Sequence, residues 1–197
     1  MESTDHGRTL LALARAAIGR ALGRSLSAPG DAPWLQRSGA CFVTLTQAGQ
    51  LRGCIGSLQA HRSLLTDIQA NAVAAALHDP RFAPLGAAEL EQIAIEVSLL
   101  SPTEPIAFSS EADALARLRP GIDGVVFEFG GRRSTFLPQV WEQLPEPRQF
   151  MAHLKQKAGV ASGFWADGVR LSRYTVQKWR EGASPGDTAR ALPEGAP

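Results

Sequence analysis

Gly130-Gly131 stands between two short runs that read as strands, Val125–Phe129 and Arg132–Leu137. Both central residues of a primed two-residue turn need positive φ, which glycine adopts without steric cost, so the pair specifies a tight antiparallel hairpin. A second hairpin is expected from Ala40–Thr46 (ACFVTLT) and Leu51–Leu58 (LRGCIGSL), which flank Gln47-Ala48-Gly49-Gln50. Helical patterns surround them. Apolar residues recur every three or four positions from Thr9 to Leu26 and from Ser63 to His78, the latter stopped by Asp79-Pro80. Short helices are expected at Ala87–Gln92, Glu111–Leu118 (capped by Ser109 or Ser110), Gln139–Leu144 and Arg148–Ala158, and strands at Ile93–Leu100 and Leu171–Trp179. Hairpins interleaved irregularly with helices predict an α+β fold, a mainly antiparallel sheet with packed helices, rather than repeated βαβ units.

The chain has 197 residues, 44% of them hydrophobic, enough for a core without disulfide staples. Its net charge of +1 lacks the basic excess of a dedicated nucleic-acid binder, so nucleic-acid binding is not expected. No apolar run reaches the roughly 18–20 residues of a membrane helix, and Glu2 and Asp5 precede the first apolar stripe, where a secretory leader would be basic. A cytoplasmic protein is expected, away from membranes. The segment Ser27–Pro33 reads as a loop with Trp34 and Leu35 tucked onto the core, and Gly182–Pro197, nearly devoid of large apolar side chains, as a disordered tail.

The segment Leu51-Arg52-Gly53-Cys54-Ile55-Gly56 is the most unusual in the chain. Glycine weakens a strand interior unless something approaches closely or the strand bends. Strand alternation puts Arg52 beside Cys54, where a guanidinium favours thiolate and offers a fork for carboxylate or phosphate. The competing reading is a packed cysteine in a bulged hairpin. With Ala48 and Gly49 as the turn, Val43 is expected opposite Cys54 and Cys41 opposite Gly56, placing both cysteines on one face as diagonally displaced free thiols. Arg81, in Asp79-Pro80-Arg81-Phe82, is placed either to cap exposed carbonyls or to point into a cleft. Glu96, on an otherwise apolar strand, is a candidate general base or an arginine's partner. Cys41, Cys54, His61 and His78 have no zinc-type spacing, so no metal site is expected. Nucleotide-binding and serine-hydrolase motifs are absent, and no cofactor is expected.

These residues resemble the AMMECR-one domain family, especially its prokaryotic branch, AmmeMemoRadiSam system protein A. Leu51–Gly56 is similar to its six-residue signature. The similarity continues through Phe42–Leu45, Asn71-Ala72, Asp79–Phe82, Glu96–Ser98, Gly121–Gly124, Phe136–Trp141 and Lys157–Gly159. It covers about residues 8–181 as a single domain, leaving 182–197 as tail. The resemblance implies two unequal subdomains with a cleft lined by the signature and the Asp79–Phe82 segment. It also implies association with a Memo-like protein and a radical S-adenosylmethionine protein. The functional expectation is a component that takes a small anionic or peptide-like ligand. Arg52, Gly53, Gly56 and Arg81 would bind it, Cys54 would be its reactive thiol, and Glu96 would hold or activate its neighbours. The alternative is a non-catalytic adaptor docking on one of those partners.

Overall fold

The computed structural model describes residues 2–30 and 32–182. They divide into two compact units, one of residues 2–100 and 177–182 and the other of residues 101–176. The α+β expectation holds in both. Each has one four-stranded sheet, and the strand pairs whose registers are given below are antiparallel.

In the first unit, α1 (Glu2–Ala21) and α2 (Leu64–Leu77) pack on a sheet of order β2-β1-β3-β8, with β1 Ala40–Gln47, β2 Gln50–Gly56, β3 Ile93–Leu100 and β8 Val176–Arg180. The core collects Leu10, Ile18 and Ile68 from the helices and Val43, Leu45, Ile95 and Val97 from the strands. Helix α1 ends at Ala21, short of the expected Leu26, because Gly23 adopts φ 76°. The Arg24 amide then donates to the Gly19 carbonyl and the Gly23 amide to that of Arg20, a closed helix end over which Leu26 folds back onto Gly19. Leu35 is buried and Trp34 packs against the same core, as expected. The expected helix at Ala87–Gln92 shrinks to a 3-10 turn, Ala87–Glu89.

The β1–β2 turn uses Ala48 and Gly49, at φ 49° and 79°. The register derived from that turn is nevertheless wrong by one. Thr46 pairs with Leu51 but Leu45 pairs with Gly53, so Arg52 is the extra residue of a bulge. Thr44 therefore lies opposite Cys54, and Phe42 opposite Gly56. The cysteines do not share a face: Cys41, with Val43 and Leu45, belongs to the helix-covered side, and Cys54 to the other.

In the second unit, β4 (Glu104–Pro105), β7 (Arg170–Tyr174), β5 (Gly124–Phe129) and β6 (Arg132–Phe136) form a sheet in that order. Helices α3 (Glu111–Ala116) and α4 (Pro147–Lys157) complete a core built on Val125, Phe127, Trp141, Phe150 and Leu154. Gly130 and Gly131, at φ 55° and 77°, make the β5–β6 turn as expected. Ser110 caps α3 through its side chain. The expected helix at Gln139–Leu144 is a 3-10 turn, Pro138–Glu142. The strand expected over Leu171–Trp179 breaks at Thr175, whose amide and carbonyl bond Ser101, and its halves join different sheets. Residues 183–197 of the expected tail lie outside the described residues. Among those described, no helix is long and apolar enough to cross a membrane.

Candidate functional site

Strand β2 is an edge strand, and an edge strand presents unpaired backbone groups that a protein must cover or protect. Here side chains following α2 do this. The Cys54 amide donates to Asp79 Oδ2 at 2.9 Å, and Arg81 Nη2 donates to the Cys54 carbonyl at 3.2 Å. Asp79 and Arg81 are themselves joined by a fork, Nε to Oδ1 at 2.9 Å and Nη2 to Oδ2 at 2.7 Å. The Arg81 guanidinium, with amides of Cys54 and Arg81, holds the Asp79 carboxyl well below the usual carboxylate range. The carbonyl that Arg81 meets is that of Cys54 on β2, not one at the C-terminal end of α2, where a residue following that helix was expected to cap. Its side chain remains 54% exposed.

Arg52 is tied down as well. Its Nε and Nη2 donate to the two Glu89 oxygens at 3.1 and 3.3 Å, and Nη1 donates to the Ala83 carbonyl at 2.8 Å. Glu89, which also accepts the Gly86 amide, is held below its ordinary range, by that amide first and then by Arg52. Both arginines of the expected anion site thus already carry a carboxylate of the same chain.

The two glycines meet close approaches from within the unit. A Cβ at Gly53 would overlap the Ala75 carbonyl oxygen of α2, and one at Gly56 would overlap the Phe42 ring. The Cys54 thiol, half-buried, accepts a hydrogen bond from Thr44 Oγ1 at 3.3 Å. One strand further, Glu96 lies opposite Thr44. Cys54, Thr44 and Glu96 therefore form one cross-strand row on the face away from the helices. Glu96 is half-buried, and its partner is Lys178, 4.0 Å away, rather than an arginine.

Cys41 sits in a different environment. Asp67, fully buried, accepts its amide at 2.9 Å and its thiol at 3.4 Å, along with Ser57 Oγ, Arg62 Nε and Asn71 Nδ2. The Asn71 amide also donates to the Cys41 carbonyl at 2.9 Å. Burial, reinforced by the Asp67 charge, pushes the Cys41 thiol far above the ordinary thiol range. The sequence reading passed over Asp67, Glu89 and Thr44 and gave Asn71 no role. Asp67 and Asn71 had a signal: with Leu64, Ile68, Ala72 and Ala75 they occupy the buried stripe of α2, where polar residues require partners.

Among the described residues no three His, Cys, Asp or Glu side chains are grouped to hold a metal ion. The second unit has a recess of about 650 Å³ walled by Phe108 and Trp165. Its carboxylate Glu128 faces Arg133 at 3.4 Å and Arg170 at 4.0 Å.

A family model described as AMMECR1 matches residues 11–179. A protein of Methanothermobacter thermautotrophicus is 38% identical over 185 residues, covering 91% of this chain and 96% of the relative. One of Thermotoga maritima is 40% identical over 147 residues, 74% of this chain and 79% of its own. The crystal structure of the uncharacterised protein PH0010 from Pyrococcus horikoshii superposes with a TM-score of 0.72 at 31% identity, covering 89% of this chain and 91% of that one.

Proposed function

The chain belongs to the AMMECR1 family, and from that premise we propose that it is a ligand-binding component whose reactive contact is the Cys54 thiol. The observation carrying this reading is the convergence on one residue. Cys54 is half-exposed, receives the Thr44 hydroxyl at its sulfur, and has both outward backbone groups fixed by Asp79 and Arg81. The Thr44 hydroxyl orients the sulfur, and the partial exposure of Cys54 leaves it open to a ligand. Glu96, in the same row with Thr44 between it and Cys54, is in this reading the carboxylate that takes a proton from a ligand lying along the row.

Of the two ligand classes considered, a peptide-like ligand suits the site better than a small anion, since Arg52 and Arg81 are each neutralised by a carboxylate. Arg81 Nη1, which donates to none of the described residues, is the donor left for such a ligand. Gly53 and Gly56 then contribute by letting α2 and Phe42 close on the strand.

The test is alkylation with iodoacetamide at pH 7, folded and in denaturant, with a Cys54→Ser control. Faster labelling of Cys54 in the folded protein than in the unfolded chain supports the reading. Labelling only on unfolding would make Cys54 a packing residue. A second reading, an adaptor for a Memo-like or radical S-adenosylmethionine protein, draws on Leu51 and Leu58. These large apolar side chains, 45% and 39% exposed, lie at β2 and just beyond its end. A pull-down in which Leu51→Ser and Leu58→Ser lose the partner while Cys54→Ser keeps it would favour the adaptor.

A further inference from the structure

We propose that Asp79 and Arg81 are positioning residues, a clip that takes the place of a neighbouring strand on the outer edge of β2 and so fixes the Cys54 thiol. The inference rests on the reading of Cys54 as the reactive contact, and goes beyond it by assigning these two residues to the strand rather than to the ligand.

A neighbouring strand in an antiparallel ladder supplies one acceptor and one donor to each outward-facing residue. Asp79 Oδ2 and Arg81 Nη2 supply that pair to Cys54, at 2.9 and 3.2 Å. The carboxylate–guanidinium fork keeps the acceptor and donor in register with each other, and the Arg81 amide, donating to Asp79 Oδ1 at 3.1 Å, ties the fork to its own loop. Lysine cannot reproduce this, since a single ammonium has no planar fork to hold the carboxylate and reach a carbonyl together. The need for a clip follows from the bulge two residues earlier. A bulge loosens the local ladder and increases twist, so without an outer partner Cys54 would sit on a poorly restrained edge.

The experiment compares the full chain with its Arg81→Gln, Arg81→Lys and Asp79→Ala variants. The readouts are hydrogen exchange of the Cys54 amide and the rate and pH profile of Cys54 alkylation. Exchange at Cys54 is expected to rise about tenfold or more in all three variants, as for an edge amide that has lost its acceptor or that acceptor's anchor, with core amides of β1 unchanged. Alkylation at pH 7 should fall roughly tenfold in Arg81→Gln and stay low in Arg81→Lys, because the fork and not the charge alone is required. Unchanged Cys54 exchange in Arg81→Gln overturns the clip. Freed exchange with wild-type alkylation overturns its positioning role. Full recovery of alkylation in Arg81→Lys does the same for the fork. If the wild-type thiol fails to label while its amide is protected and then released in the variants, the clip stands and the reactive-thiol reading falls.

Discussion

Cys41 and Cys54 are each held by an aspartate and a side-chain N–H, and their thiols end in different surroundings. Cys54 lies on the outer edge of β2, and Cys41 on the interior strand β1, just past the end of its ladder with β2, where the Ser57 amide still donates to its carbonyl. In each case an aspartate accepts the free amide, Asp67 for Cys41 and Asp79 for Cys54, and a side-chain N–H answers the carbonyl, from Asn71 or Arg81. The difference lies in the face to which the thiol turns. Cys41 faces the helices, so its sulfur joins the carboxylate that holds its backbone and is locked as a thiol. Cys54 faces away, with Thr44 as its partner. Such a clip thus fixes the backbone without deciding the surroundings of the thiol, which depend on the side of the sheet and, for Cys54, on the bulge at Arg52.

The comparison is broken most forcefully at Asp67. Replacing it by Ala strips acceptors from the Cys41 amide, Ser57, Arg62 and Asn71 together, in a fully buried site. The expected loss is about 3–5 kcal/mol, measured by denaturant unfolding. A loss below about 1 kcal/mol would mean that water enters the cluster and that the inner clip is dispensable.

The two glycines of the motif sharpen the contrast between faces. Gly53→Ala drives a methyl into the Ala75 carbonyl, part of a helix that cannot yield locally, and should cost about 3 kcal/mol. Gly56→Ala meets first the Phe42 ring, a side chain able to rotate, and then the Cys41 carbonyl. About 1–2 kcal/mol is expected. Equal costs would show that the outer face is packed as rigidly as the inner.

Acid acts on the carboxylates that hold Arg81 and Arg52. Asp79 and Glu89 are held below their ordinary range, so the unfolded chain takes up their protons first as pH falls. Their contribution is complete above about pH 5 and is lost progressively below about pH 4, as pH descends toward the folded values. Denaturation midpoints should therefore be insensitive to these groups near neutrality and drop in acid. Asp79→Asn should start lower and drop less steeply. An unchanged acid slope in that variant would remove Asp79 as a source.

Much of this was legible in the sequence, and the failures at the site share one cause. Ala48-Gly49 and Gly130-Gly131 announced their turns because positive φ is a local demand that residue type answers. The stripe of α2 announced its buried face, and its two polar members, Asp67 and Asn71, could have been read as requiring partners. The bulge was invisible. Arg52 leaves the ladder to meet Ala83 and Glu89, 31 and 37 residues away, and nothing local to the hairpin encodes that. One unforeseen residue then moved Cys54 to the other face. The candidate site was legible as residue types, since Arg52, Cys54, Arg81 and Glu96 were all singled out. Its wiring was not, because whether a guanidinium meets a ligand or a carboxylate of its own chain is decided by tertiary contacts.

The smallest expected effect is at Glu96, and it tests the row on which the reactive reading depends. Its ion pair with Lys178 is long, 4.0 Å, and both side chains are partly exposed, at 29% and 49%. Glu96→Gln should therefore change stability by less than about 0.5 kcal/mol. Any larger effect belongs to chemistry rather than folding. If Glu96 accepts the proton of a thiol reaction, Glu96→Gln slows turnover of a reactive ligand while leaving simple alkylation nearly intact, since an alkylating reagent needs only an accessible sulfur. If it is merely a solvated strand residue, both rates match wild type. Then the contrast between the two cysteines reduces to exposure, with Thr44 and the Asp79–Arg81 clip as the only features that distinguish Cys54 from an ordinary surface thiol.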